Sequence, residues 1–575
     1  MGVKGDRSIW EAETEGVELV ELTIGDLLDI QAEKNPEKEA LVYNYPEIGL
    51  NLRYNYRQYR DEVNRVAKGL LALGVEKGDH VAVWAPNLPE WVMLHQALAR
   101  VGAVMVTVNT LYKAAEIEYI LRQGDISLLF MVEEVRGNSY LESLYSVAPE
   151  LKNLSDPGKE LLNSANLPRL KRTVLIGQTP RPGFLLYKQM LEMGESISDE
   201  QLRERQASIN PHDVAIIMYT SGTTGFPKGA MSTHYNIVNT VVAGIALNMD
   251  DTERHVTPMP LFHVAGANFI PGMIYTEGTL VPLIGFDPTK WLELIDKERG
   301  TSSFCVPAMI AAILNHPRFL AGEFDLSAFT RMYSGGAPVP VALMEQVKDK
   351  LGADCRIYFG MTESAGASTR TLDTDSFELK SATVGKPYPH LEIKIVNPAS
   401  GEPVPLGERG ELLARGFMVM KGYYNMPEKT ADTIDEEGWL HTGDLATMNQ
   451  DGYINIVGRI KDMVIRGGEN IYPAEIEAFL MKHPKIAEAQ VLGVPDSVMG
   501  EELVALIRLR QGESLTEEEV RDYCKANISR YKVPKYIRFV TEYPMTASGK
   551  IKKFELRESM IKELGLENAS KVKTA

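Results

Sequence analysis

The chain has 575 residues, of which 44% are hydrophobic and 24% charged, and its formal net charge is −17. That length exceeds one ordinary core, so two or more globular domains are expected. The acidic balance disfavours nucleic acid or an anionic membrane as the main partner, because polyanion binding needs a positive field. Cys305, Cys355 and Cys524 lie far apart, with no metal-type pair and no even framework, as in a reducing compartment.

Residues 1–16 are charged, lack an apolar signal core, and place Asp6 where a myristoylation signal needs Ser or Thr. A cytoplasmic location is the expectation. The pattern predicts an amphipathic helix over 23–35, short strands at 41–45 and 52–54, a helix over 56–73 and a strand at 80–84. Asn87-Leu88-Pro89-Glu90 reads as a helix start. The most apolar long segment, 91–108, contains His95, Gln96 and Arg100, so it reads as a buried helix and strand and not a membrane span. Such alternation predicts α/β layers with largely parallel pairing. Residues 152–167 are polar, a candidate disordered or inserted segment.

After an apolar strand at 214–218 comes Tyr219-Thr220-Ser221-Gly222-Thr223-Thr224-Gly225-Phe226-Pro227-Lys228-Gly229. Glycines let the backbone approach a ligand, successive N–H groups can cradle an anion, and the hydroxyls and Lys228 add donors and charge. A polyphosphate needs these features. The usual NTPase loop is excluded, because that motif ends in Gly-Lys-Ser/Thr. The plainer alternative is a polar turn between strand and helix.

The string resembles the phosphate loop of the adenylate-forming superfamily: acyl-CoA synthetases, adenylation domains of peptide synthetases, and beetle luciferases. The stretch ALGVEKGDHVAVWAPNLPEW is similar to that family too. The resemblance implies a fold and a set of roles. The fold is α/β: a large N-terminal domain of layered α/β subdomains plus a small β-rich subdomain, residues 1–460, and a small mobile α+β C-terminal domain, residues 461–575. His263, in Pro258-Met259-Pro260-Leu261-Phe262-His263, would lie beside the acyl carboxylate, although a lone His in an apolar run is also a common packed residue. Gly336, Ala337 and Pro338 would contact adenine. In Tyr358-Phe359-Gly360-Met361-Thr362-Glu363, Phe359 would stack on adenine, Thr362 would donate to phosphate and Glu363 would hold Mg²⁺. Asp444 and Arg459 would bind the ribose. Lys461 would be the pivot of a hinge, and the Gly467-Gly468 loop would reach the site in the second half-reaction. Lys550, in a glycine turn, resembles the catalytic lysine of adenylate formation.

Within 461–575 the pattern predicts strands at 463–466, 489–494 and 503–509 and helices over 473–482 and 516–528. Thr516 caps the second helix and Glu517, Glu518 and Glu519 fill its first turn.

The implied reaction is ATP-dependent. A carboxylic acid becomes an acyl-adenylate and then an acyl-CoA, with release of pyrophosphate and AMP; ATP, Mg²⁺ and coenzyme A are the expected cofactors. Only 25 residues follow Lys550, with no carrier domain, so free coenzyme A is the expected thiol acceptor. Small residues at 364–368 and 264–267 suggest an open, apolar pocket suited to a medium- or long-chain fatty acid, or alternatively to an aromatic or cyclic acid. Gly360 is expected to face that pocket, so that Gly360→Trp would favour short acids. A catalytically inactive nucleotide-binding scaffold is the alternative from another class. Monomer and homodimer both stay open.

Overall fold

The computed structural model describes residues 2–14, 16–220, 227–245, 252–466, 469–496, 499–546 and 549–566. They form two compact units: one comprises 12–392 and 414–440, the other the N-terminal residues to Glu11, 393–413, and the chain from His441 onward.

The larger unit carries two mixed sheets. The first runs in the order Leu185–Leu186, Arg172–Leu175, Leu128–Met131, His80–Trp84, Val104–Thr107, Val214–Thr220, all parallel, and ends with antiparallel Lys228–Thr233 and Gly422–Tyr423. The second has nine strands. Its parallel centre is Asp354–Met361, Arg331–Gly335, Ser302–Phe304, Arg254–Thr257, Thr279–Pro282 and Glu39–Tyr45. Antiparallel Gly366–Arg370 and Leu50–Asn55 flank it. The predicted parallel α/β layers are therefore present, and strands buried on both faces explain the unbroken apolar runs.

The predicted helices form for local reasons. Thr23 and Asp26 make a reciprocal capping box at the start of Ile24–Lys34. Pro89 opens Pro89–Val101, and Gly102, at φ +73°, closes it. That helix is buried on nearly every side. Its Arg100 is neutralised by Asp29 at 2.9 Å and hydrogen-bonds Gln206 at 3.0 Å.

Residues 152–167 depart from expectation. After the 3₁₀ turn Pro149–Asn153 they are without helix or strand, yet packed: Leu162 and Leu167 are buried, and Leu162 N donates to Lys171 O at 2.9 Å. Sparse leucines in a polar segment were enough to anchor it.

In the smaller unit one sheet contains Ile9–Trp10, Glu392–Val396, Gly410–Arg415, Leu440–Met448 and Ile454–Arg459. A second contains Val464–Arg466, Glu469–Ile471, Ile486–Asp496, Gly500–Leu509 and Tyr536–Phe539. Helices Pro473–Leu480 and Glu517–Asn527 pack on it through Ile476, Leu480, Val520 and Cys524. Thr516 and Glu519 form the expected capping box.

Candidate active site

The glycine-rich string does not join a strand to a helix. The strand Val214–Thr220 before it pairs antiparallel with the strand Lys228–Thr233 after it, Thr220 directly opposite Lys228. Ser221, Gly222, Thr223, Thr224 and Gly225 lie outside the described residues. The pairing sets the Thr220 and Lys228 side chains next to each other at the base of the loop.

Both side chains converge on Glu363. Lys228 Nζ donates to the Tyr423 hydroxyl at 2.9 Å and sits 4.0 Å from that ring's centre. The Tyr423 hydroxyl donates to Glu363 Oε1 at 2.7 Å, and Thr220 Oγ1 donates to the same oxygen at 3.3 Å. Glu363 is 7% exposed and Tyr423 3%. Burial, and then the Glu363 charge, push the Tyr423 hydroxyl far up, so it keeps its proton and remains a donor. Tyr423 is held on the sheet edge opposite Ala230, and Glu363 O accepts Met420 N at 2.9 Å. Sequence reasoning missed Tyr423. Its only local sign is an aromatic residue after Gly422, which looks like any edge-strand tyrosine.

One helix holds the residues on both flanks of the string. Helix Ala114–Gln123 presents Tyr119, whose hydroxyl donates to Pro227 O at 2.9 Å, just after the loop. Gln123 accepts the Tyr219 hydroxyl, just before the loop, and donates to Tyr424 O at 2.7 Å.

Gly336, Ala337 and Pro338 follow strand Arg331–Gly335. Phe359, Gly360 and Met361 end the adjacent parallel strand, Thr362 opens the 3₁₀ turn that follows, and Gly335 pairs with Tyr358. These are neighbouring carboxyl ends of parallel strands, where open α/β sheets bind ligands. Gly336 turns at φ +75°. Tyr358 is buried edge-on against Tyr333, 5.6 Å between centres, whereas Phe359 is only half-buried.

Gly360 corrects the pocket expectation. A Cβ there would lie 1.9 Å from Gly366 O, because the bulged neighbouring strand crosses it closely. Gly360 faces backbone, so Gly360→Trp would displace that strand before it could fill a pocket. Several of the small residues are likewise structural. Ser364 Oγ donates to Gly366 O at 2.8 Å, and a Cβ on Gly266 would meet Pro260 O at 2.3 Å. His263 precedes the short helix Val264–Ala267, and Asn268 Nδ2, just beyond it, donates to Ala365 O at 2.7 Å. This bond ties the His263 segment to the turn that carries Thr362 and Glu363.

In the smaller unit Asp444 and Arg459 pair directly across two strands, with Arg459 Nε donating to Asp444 Oδ1 at 2.8 Å. Asp444 is 4% exposed. Burial raises its pKa, against the lowering pull of Arg459 and then of Lys550, which is therefore within electrostatic reach. Lys550 ends a tight turn in which Thr546 N donates to Lys550 O at 2.7 Å and Thr546 Oγ1 accepts Lys550 N at 3.0 Å. Lys461 lies in the 3₁₀ turn Ile460–Asp462. Gly467 and Gly468 fall outside the described residues.

The same unit has a cavity of about 550 Å³ lined by Arg466, Arg521, Lys525, Arg530, Val533, Pro534 and Lys535. Arg466 is countered by Glu502 at 2.8 Å and Lys535 by Asp496 at 2.9 Å. Arg530 makes no ion pair among the described residues.

No group of three or more metal-binding side chains occurs among the described residues. A single buried carboxylate, Glu363, held by Thr220 and Tyr423, is the donor that a hard cation would accept if its other oxygens came from phosphate and water. No helix among the described residues is long and apolar enough to cross a membrane.

Residues 28–424 match the AMP-binding enzyme family, and residues 475–550 match the AMP-binding enzyme C-terminal domain. The chain is 42% identical to YngI of Bacillus subtilis over 96% of its own length and 100% of that protein. It is 40% identical to the medium-chain acyl-CoA ligase ACSF2 of Homo sapiens, over 95% and 88% of the two chains. Among solved structures, the anthranilate CoA ligase AuaEII in complex with anthranoyl-AMP superposes with a TM-score of 0.79 at 28% identity, covering 94% of this chain and 97% of that one. A Mycobacterium tuberculosis fatty acyl CoA synthetase superposes at 0.70 with 30% identity, covering 93% and 98%.

Proposed function

The chain belongs to the AMP-binding enzyme family, and from that premise we propose how its residues divide the work of an AMP-forming acyl-CoA synthetase. The protein is an acid–CoA ligase that joins a carboxylic acid to coenzyme A through an acyl-adenylate at the expense of ATP. A carboxylate oxygen is a poor leaving group; joining it to AMP creates a good one. That step brings two anions together, so the residues must supply positive charge and position.

Lys228 and the loop around it hold the β- and γ-phosphates. Glu363, oriented by Tyr423 and Thr220, would hold Mg²⁺, which would supply positive charge to offset that of the phosphates. Gly336, Ala337 and Pro338 line the adenine with Phe359 against its face, and Thr362 donates to phosphate. Asp444 accepts the ribose hydroxyls, with Arg459 fixing its carboxylate. Lys550 bridges the acyl carboxylate and the α-phosphate, and His263 lies beside the acyl group. No enzyme nucleophile is required.

Thiol attack then needs a different arrangement. The C-terminal segment pivots at Lys461, withdraws Lys550 and brings the Gly467-Gly468 loop to the adenylate. The basic cavity beside Arg466 takes the phosphates of coenzyme A. Arg530→Ala and Lys525→Ala should raise the KM for coenzyme A about tenfold each and leave adenylate formation unchanged. An unchanged KM would remove that cavity from the account. The acid is of medium chain length, as the name of the ACSF2 relative suggests.

The convergence of Thr220, Lys228 and Tyr423 on buried Glu363 at a phosphate-type loop carries this reading. ATP–pyrophosphate exchange that depends on added carboxylic acid tests it. A decayed scaffold would bind nucleotide and show no such exchange.

A further inference from the structure

Strand Gly366–Arg370 begins at the proposed acyl site and ends in a buried cation. A Cβ on Gly366 would meet Asn268 Nδ2 at 2.6 Å and lie 3.6 Å from both Thr240 and Val264, so this end of the strand adjoins the His263 segment. Four residues on, at most roughly 13 Å away at a strand's rise, stands Arg370, 6% exposed. Phe269, Phe304 and Tyr358 bridge the two ends, with ring centres 5.9 and 6.3 Å apart.

Arg370 has no carboxylate and no other hydrogen-bond acceptor among the described residues, and its Nε is fully buried. Its guanidinium carbon lies 5.1 Å from the centre of the Tyr388 ring. The Tyr388 hydroxyl is also buried without a partner. Gly244 backs onto that ring so closely that a Cβ would sit 1.8 Å from it. Thr240, one helical turn before Gly244, contributes a third buried and unpartnered group, its Oγ1. Lys386 pairs directly with Arg370 across the strands, so two like charges share one face.

A guanidinium cannot shed its proton in a protein, and an unpaired buried charge is costly. Two buried hydroxyls without partners add to that cost. All three groups can donate, so what would satisfy them is an acceptor oxygen.

We propose that Arg370 and Tyr388 form the distal end of the acyl pocket, with Thr240 on its wall nearer Gly366, and select carboxylic acids that carry a second hydrogen-bond-accepting oxygen group, a carboxylate or a carbonyl, far from the carboxylate being activated. This rests on the synthetase reading above and narrows its substrate class. It also revises the expectation of a wholly apolar pocket. Arg370 is then a specificity-determining residue that takes no part in adenylate chemistry.

The test is ATP–pyrophosphate exchange with octanoate, octanedioate and 7-oxooctanoate, in the wild type, Arg370→Leu and Tyr388→Phe. The wild type should favour at least one of the two oxygenated acids over octanoate by tenfold or more in kcat/KM. The dicarboxylate leading points to the charge; the oxo acid leading points to the hydroxyls. Arg370→Leu should lose that preference through KM, with kcat nearly kept, and should improve on octanoate. Tyr388→Phe should lose a smaller part of it. If Arg370→Leu does not fold, the wild-type preference and Tyr388→Phe still decide. Brisk exchange with octanoate and none with the oxygenated acids would overturn this inference and leave the synthetase reading standing. An oxygenated-acid preference unchanged in Arg370→Leu would overturn it as well. No exchange with any acid would remove the premise and the inference together.

Discussion

Tyr423→Phe removes one hydroxyl from the centre of the phosphate site and leaves the ring. The lost contacts are the 2.7 Å bond to Glu363 and the 2.9 Å bond from Lys228. Two contacts survive: Lys228 still lies over the ring at 4.0 Å, and Thr220 still reaches Glu363 at 3.3 Å. A hydrogen bond to a charged group is worth ~1.5–3 kcal/mol. Burial of Tyr423 and Glu363 removes solvent screening as a discount. At about 1.4 kcal/mol per decade, the adenylation half-reaction should lose roughly ten- to a hundredfold in kcat/KM for ATP. Thioester formation from supplied acyl-adenylate needs no pyrophosphate site and should change by less than about twofold. Exchange kinetics and a thioester assay on the same preparation give both numbers. Exchange within twofold of the wild type, or equal loss in both steps, would refute the idea that Tyr423 positions Lys228 and Glu363.

Two other predictions concern groups outside the reaction. Burial holds His95, His234 and His255 down at about 3, about 4 and about 3. Their folded pKa values lie below the unfolded one, so their stabilising effect is whole above pH ~6.5 and is lost as pH falls toward 4. On the order of 2 kcal/mol per histidine should be gone by pH 5; urea unfolding across pH 7.5 to 5 measures it, and a flat profile contradicts it. Burial pushes Cys305 and Cys355 up to about 12 and Cys524 up to about 11. Without thiolate they should resist iodoacetamide at pH 8, and alkylation should leave activity intact; rapid inactivation would show an exposed, reactive thiol.

The elements legible in the sequence were those specified locally. Thr516 and Pro89 announce helix starts by chemistry that needs no distant partner, and the apolar runs at 80–84 and 214–218 read as buried strands. Asp444 and Arg459 were legible as motif residues, and the sheet pairs them. What stayed hidden depends on pairing across long separations. Strand Lys228–Thr233 was not legible because its apolar content is low and its register is set by Val214–Thr220. Tyr423 becomes functional only because its edge strand lies beside Lys228. Gly360 was misplaced because side-chain size says nothing about which way a Cβ would point, and the bulge opposite it cannot be read from either strand alone. Arg370 gave no local sign, because its burial is a tertiary fact.

The central claim is that Lys550 serves adenylate formation alone and leaves before the thiol attacks. Lys550→Ala separates the steps: acid-dependent ATP–pyrophosphate exchange should fall by at least about a thousandfold, while coenzyme A should still consume supplied acyl-adenylate at near the wild-type rate. Equal loss in both half-reactions, or exchange that persists, would contradict the account.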